Sequence, residues 1–206
     1  MQPLHHLRIC LLLVCFAFAA QAEAPWQWTD IDGTVQAPFA NTNTKALVVV
    51  FIDVECPVAN YFTPTLRRMA AATTERGARF LFVHPDPDRT AAAARKHAKA
   101  FKVPGPVVLD PELATAKRLK ADVTPEAFVI TPDGTLQYRG RINDMFIRPG
   151  KKRVKPRNHD LQNALDAVLA GKPVAVTETK AIGCYIFYDD QDVEEKDEEE
   201  EEAATP

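Results

Sequence analysis

Cysteine is scarce in this chain, with four in 206 residues. That excludes a small scaffold stapled by disulfides, and a chain of this length buries enough apolar surface to fold without them. Long apolar runs are missing as well. The segment 9–20 is apolar but falls short of the roughly 20 residues that cross a bilayer. There is no internal repeat, and no C-x-x-x-C or paired-histidine spacing that would announce a metal site. The net charge of -3 selects no class of partner.

The two ends differ from the rest. Residues 1–22 carry Arg8, then the apolar segment, then small residues at Ala20 and Ala22. This pattern predicts a cleaved signal peptide and a mature chain starting near Glu23. It implies a periplasmic or secreted protein with no stable membrane insertion after cleavage; an uncleaved anchor is the alternative. Cleavage removes Cys10 and Cys15 and leaves Cys56 and Cys184. Residues 189–206 hold 11 acidic residues against one lysine, the composition of a disordered tail. The chain between the ends is basic, most of all in 143–158, with Lys151, Lys152, Arg153, Lys155 and Arg157. Export argues against nucleic acid as their partner. The acidic tail either folds back on this cluster or serves solubility.

Residues 23–188 read as one domain. Trp26, Trp28 and Ile31 followed by Asp32 and Gly33 predict a short strand or hairpin at its entry. The continuous apolar run 46–53 predicts a central strand covered on both faces. A helix follows over 57–77, with Gly77 as its stop. Next come a strand over 78–86, a helix over 87–102, a strand over 106–110, and a helix over 111–120 with Pro111 in its first turn. The segments 126–131 and 135–142 flank Pro132, Asp133 and Gly134 as a hairpin. In 159–172 Leu161, Leu165, Val168 and Leu169 share one helical face. Alternating strands and helices, then a hairpin, predict an α/β fold with a central mixed sheet flanked by helices.

The stretch FIDVECPVANYFTPTL, residues 51–66, places Cys56 between the central strand and the following helix. A helix start offers unpaired N–H groups and positive partial charge, and both favour a thiolate. Pro57 suits the first helical turn, whereas Pro64 inside the helix predicts a kink. Asp53 and Glu55 share a face if the strand runs through them, and Asp53 is the better candidate for moving a proton at the thiol. His84 follows a strand toward the same sheet edge. His97, in a charged helix, is expected on the surface. Asn60 and Tyr61 line either a substrate groove or the core. A buried, inert Cys56 is the bland alternative.

Cys56 followed eight residues later by Pro64, together with Thr124 and Pro125 ahead of the strand EAFVI, resembles the thioredoxin superfamily. The similarity extends over about 26–171. It is closest to exported redoxin, peroxiredoxin-like proteins of the alkyl hydroperoxide reductase/thiol-specific antioxidant group. The resemblance implies a thioredoxin-like fold, a cis bond before Pro125, and a redox role for Cys56 toward a protein thiol or disulfide partner or a peroxide. It implies no cofactor. The motifs also depart from the family. Ala59 stands where C-x-x-C has its second cysteine and where the peroxidatic cysteine usually aligns. Val49 and Asp53 replace the proline and threonine of the peroxidase motif, which argues against peroxidase chemistry of the usual kind.

Cys184, in TETKAIGCYIFY, is then the candidate resolving thiol, and Gly183 permits a close backbone approach. The catalytic set is Cys56, Cys184, Pro125 and Asp53. Three arrangements stay open: a redox pair, a permanent structural disulfide, and no pairing. Copper(I) at Cys56, Cys184 and a histidine is a further alternative, because thiolates are soft ligands.

Overall fold

The computed structural model describes residues 26–188. The signal-peptide expectation over 1–22 and the acidic-tail expectation over 189–206 lie outside the described residues. A two-stranded hairpin, β1 (Trp28–Thr29) with β2 (Val35–Gln36), opens the domain. Then come β3 (Ala46–Phe51), α1 (Pro57–Thr73), β4 (Ala78–His84), α2 (Ala91–Phe101), β5 (Val107–Leu109) and α3 (Ala114–Leu119). β6 (Val123–Thr124), β7 (Glu126–Ile130), β8 (Leu136–Gly140), β9 (Phe146–Arg148), β10 (Lys151–Lys152), α4 (Asp160–Leu169) and β11 (Cys184–Tyr185) follow.

The main sheet has the order β5-β4-β3-β7-β8. β3 is parallel to β4, and β4 to β5, while β7 and β8 run antiparallel. This is the mixed α/β sheet expected. Every residue of β3 is buried, because both faces are covered. Ala46, Val48 and Val50 pack with Phe62 and Leu66 of α1, Ala94 of α2, and Leu161 and Leu165 of α4. Leu47, Val49 and Phe51 pack the other way, with Ala116 and Leu119 of α3 and Phe128 of β7. Among the described residues no helix is long and apolar enough to cross a membrane.

Several boundaries differ from expectation. β3 stops at Phe51 rather than continuing to residue 53. Asp53 turns the chain by accepting the Glu55 N–H at 2.6 Å, an Asx turn. α1 ends at Thr73, and a 3-10 turn over Thr74–Arg76 carries the chain to Gly77. There φ is +104°, and a Cβ would meet Asn43 O at 2.8 Å. α3 starts at Ala114, so Pro111 lies in a turn ahead of the helix. The cause is Asp110, whose carboxylate takes the N–H groups of Thr115 and Ala116. The basic segment 143–158 is partly a hairpin of β9 and β10. Beyond α4 the chain crosses back over the sheet edge and forms β11, paired with β6.

Candidate active site

Cys56 is the N-cap of α1, with Pro57 in the first turn. Its Sγ accepts the Ala59 N–H at 3.4 Å. The thiol donates to the carbonyl oxygen of Thr124 at 2.8 Å. Only 1% of Cys56 is exposed. The Thr124–Pro125 bond is cis, as expected. Pro125 is buried beside this contact.

The same Thr124 is the register partner of Cys184 in the antiparallel β6–β11 pair. Its hydroxyl also reaches the Cys184 carbonyl oxygen at 3.5 Å. Gly183 makes the approach possible: a Cβ there would lie 2.0 Å from Thr124 O. Both cysteines are free thiols, and Cys184 packs against the core cluster that contains Cys56. Burial, then the hydrogen bond and charge of Cys56, then the charge of Asp53 push the Cys184 thiol up to about 12. Cys56, Cys184 and Pro125 therefore lie together, although four of the five strands of the main sheet fall between the two cysteines in sequence.

Asp53 stands at the margin of this point. Besides its bond to Glu55, its Oδ2 faces Arg89 Nη2 at 3.4 Å, and Arg89 pairs with Asp86 at 2.6 Å. The expectation that Asp53 and Glu55 share a strand face does not hold, because the chain has left the sheet by then. Glu55 points to solvent.

His97 is a second correction. It is buried, with 4% exposed, because it falls three residues after buried Ala94 on the inner face of α2, with the half-exposed Phe101 ring packed against it. That spacing was the available signal. Its Nε2 lies 2.7 Å from Asn60 Oδ1. Asn60 uses its amide N–H to donate to Val54 O at 3.1 Å. The Asn60 oxygen is thus the acceptor, and His97 donates from Nε2. The fully buried His84 ring packs edge-on to His97, with centroids 5.3 Å apart. Neither ring nitrogen of His84 nor Nδ1 of His97 has a hydrogen-bond partner among the described residues. Burial, then the neighbouring His97, pushes His84 down to about 4. Burial also lowers His97, against the raising effect of Asp53. Among the described residues, no three of His, Cys, Asp and Glu are grouped as a metal ion requires. Neither histidine therefore joins the cysteines as a ligand set.

A cleft of about 630 Å³ opens beside β11, lined among others by Glu126, Arg139, Ile182 and Tyr185. Glu126, next to Pro125, is buried and accepts the Asp122 N–H at 2.8 Å. Its carboxyl is pushed up by burial, against the lowering effects of that bond and of Arg139. Tyr61 is 40% exposed. Its ring packs edge-on against Phe62 and Phe146, with Lys152 Nζ 4.7 Å above it.

The chain is similar to the crystal structure of a hypothetical protein, SMc02350, from Sinorhizobium meliloti 1021. The two are 29% identical with a TM-score of 0.69, over 79% of this chain and 90% of that one. An uncharacterized conserved protein from Geobacillus kaustophilus matches with a TM-score of 0.69 at 25% identity, over 81% and 90% of the two chains. No curated protein matches. The thioredoxin-like fold that the sequence implies is the fold found. Residues 19–139, more than half of the chain, match the AhpC/TSA family, and the chain belongs to that family.

Proposed function

We propose that the protein is an exported thiol–disulfide oxidoreductase in which Cys56 attacks and Cys184 resolves. The observation that carries this reading is the position of Thr124. Its carbonyl oxygen holds the Cys56 thiol, and its backbone pairs with Cys184. Two free thiols are thereby held beside one another, Cys56 at the start of a helix and Cys184 on a paired strand. Membership of a redoxin family supports redox chemistry in general. Export is part of the proposal and is supported by the pattern of residues 1–22.

In the forward direction the Cys56 proton leaves its bond to Thr124 O, and the Ala59 N–H stays as a donor to sulfur. The thiolate attacks one sulfur of a substrate disulfide. A Cys56–substrate disulfide forms, and the substrate's other sulfur leaves as a thiolate and takes up a proton. Cys184 then attacks the Cys56 sulfur, releasing the second substrate thiol and closing a bond to Cys56. The substrate gains two electrons, and the two cysteines lose them. Order is built in. Burial and the charges of Cys56 and Asp53 keep Cys184 protonated at first. Once Cys56 is tied in a mixed disulfide, its thiol no longer contributes, and Cys184 deprotonates more readily.

The test is to mix reduced protein with oxidised glutathione and follow intact mass. The expected result is a transient glutathione adduct at Cys56, then loss of two hydrogens as the Cys56 and Cys184 sulfurs join. Faster oxidation of the pair by hydrogen peroxide than by the disulfide would replace this reading with a divergent peroxide reductase. Absence of oxidation by either, both in the parent and in a folded chain whose β11 is loosened by Ile186→Pro, would leave a binding module.

A further inference from the structure

With Cys56 only 1% exposed, no substrate sulfur reaches it in this arrangement. Among its neighbours is the chain's own C-terminal strap, whose Cys184 packs against the core cluster that holds Cys56. The base of the strap is pinned to β8. Arg139 N–H donates to Thr177 O at 2.9 Å, Thr179 N–H donates to Arg139 O at 3.1 Å, and Tyr138 Oη lies 2.6 Å from Thr179 Oγ1. Its outer part lies on β6 as an antiparallel strand, and Ile186 N–H reaches Asp122 O at 2.9 Å. There the side chains hold at two points: Ile186 is buried and the Tyr188 hydroxyl donates to Ala121 O, while Tyr185 is 74% and Phe187 85% exposed.

A strand edge pairs with one strand at a time. A substrate segment that uses β6 to aim its sulfur at Cys56 must therefore take the place of β11. Resting on the reading of Cys56 as the attacking thiol, we infer that residues 183–186 are an internal stand-in for the substrate. The strap leaves β6 to admit a partner protein's extended, cysteine-bearing segment, and that segment needs glycine immediately before its cysteine. The glycine requirement follows from the contact at Gly183. Any side chain at that register point would drive a Cβ into backbone, 2.0 Å from Thr124 O and 2.6 Å from its carbonyl carbon. Backbone atoms so placed do not yield as a flexible side chain does.

The test uses the full chain carrying Cys184→Ser and three probes. Two are the peptide Ala-Ile-Gly-Cys-Tyr-Ile and its counterpart with valine for glycine, each with its cysteine joined to thionitrobenzoate as a mixed disulfide. The third is the symmetric thionitrobenzoate disulfide without a peptide. In each reaction Cys56 thiolate attacks, a new disulfide to Cys56 forms, the probe's disulfide breaks, and coloured thionitrobenzoate leaves. Peptide mass spectrometry maps the adduct to Cys56. The glycine peptide is expected to react about tenfold or more faster than the valine peptide, which corresponds to about 1.4 kcal/mol or more, within what an overpacking clash costs. Adding Gly183→Val or Ile186→Pro loosens the strap by separate routes. Each is expected to speed labelling by the peptide-free probe.

Equal rates for the two peptides, or unchanged labelling in folded loosened chains, overturn the inference. If the loosened chains fail to fold, by circular dichroism, the two-peptide comparison on the chain with an intact strap decides alone. The two readings fail differently. If the peptide-free probe labels Cys56 while the strap and the glycine make no difference, only the stand-in is lost. If no probe labels reduced Cys56 in any folded chain, the attacking role of Cys56 is lost with it.

Discussion

The Cys56 thiol donates to the carbonyl oxygen of Thr124 at 2.8 Å, across 68 residues of sequence. That oxygen belongs to the peptide unit of the cis bond to Pro125. The same residue carries Cys184 as its strand partner. One backbone position thus sets where both sulfurs sit, while the N-terminus of α1 acts on only one of them.

The first prediction uses that asymmetry. Cys56→Ser is expected to abolish disulfide exchange. Cys184→Ser is expected to accumulate mixed disulfides, because the first attack proceeds and the release does not. A purely structural bond would behave otherwise, with both variants losing about 2 to 4 kcal/mol and neither trapping a partner. Adduct mass spectrometry and melting temperature on each variant separate the two outcomes.

The second prediction concerns pH. His84 is buried as the neutral imidazole, with its pKa pushed down to about 4 by burial and His97. The unfolded chain binds a proton on this residue near pH 6.5. Above that pH neither state is charged and protonation of His84 makes no difference to stability. Between about 6.5 and 4 the unfolded state gains a proton that the folded state refuses, so stability falls as the pH falls. At pH 5 the loss is of order 2 kcal/mol. The groups facing the ring are His97 from α2, Asp53 after β3, and Asp86 and Arg89 after β4. Urea unfolding from pH 7.5 to 5 measures the slope. His84→Leu is expected to flatten it with little loss at pH 7.5, since no hydrogen bond of the ring is given up.

The layered fold was legible because each of its elements carries a local signal. β3 is a β-branched run, α1 begins Cys-Pro, and the β7–β8 hairpin turns on Asp133 and Gly134. The cysteine pairing was legible only as a possibility. β11 is two residues long, and nothing near it in sequence specifies a strand. It is fixed by the fit of Gly183 against Thr124, about sixty residues away. His97 was misplaced because the charged residues around it outweighed its spacing from Ala94. Asp53 was misplaced because an Asx turn and a strand end look alike until the Glu55 amide finds its acceptor. The start of α3 moved because Asp110, placed before Pro111, captures amides five and six residues on.

The third prediction addresses the base of the strap. Gly140 has φ +134°, and a Cβ there would meet Thr179 O at 2.0 Å. Gly140→Ala is expected to destabilise the protein by about 1 to 3 kcal/mol, through the clash and the forbidden backbone conformation. It should also free the strap, which rests on bonds between residue 139 and residues 177 and 179. Faster alkylation of Cys56 at a temperature well below melting is the expected sign. Unchanged alkylation alongside a lowered melting temperature would show that β11 is held without its base.

The last prediction concerns Asn60, which ties the loop before Cys56 to the buried histidines. Its amide N–H holds Val54 O at 3.1 Å, and its oxygen takes the His97 Nε2–H at 2.7 Å. Asn60→Leu removes both bonds and leaves the His97 donor buried without a partner, at a cost of about 1 to 3 kcal/mol. The loop over residues 53–56 then loses a tether, and Cys56 loses part of its fixed position. Exchange at Cys56 is expected to slow beyond what the loss of stability explains when rates are compared far below melting. Asn60→Asp separates the two bonds. It keeps an acceptor for His97, gives up the donor to Val54, and sets a carboxylate against the imidazole. A neighbouring negative charge favours the imidazolium, so His97 is expected to titrate at higher pH than in the parent, as read from its imidazole proton resonances. If Asn60→Asp exchanges as slowly as Asn60→Leu, the Val54 tether is what positions Cys56. If it exchanges as fast as the parent, the contact with His97 is.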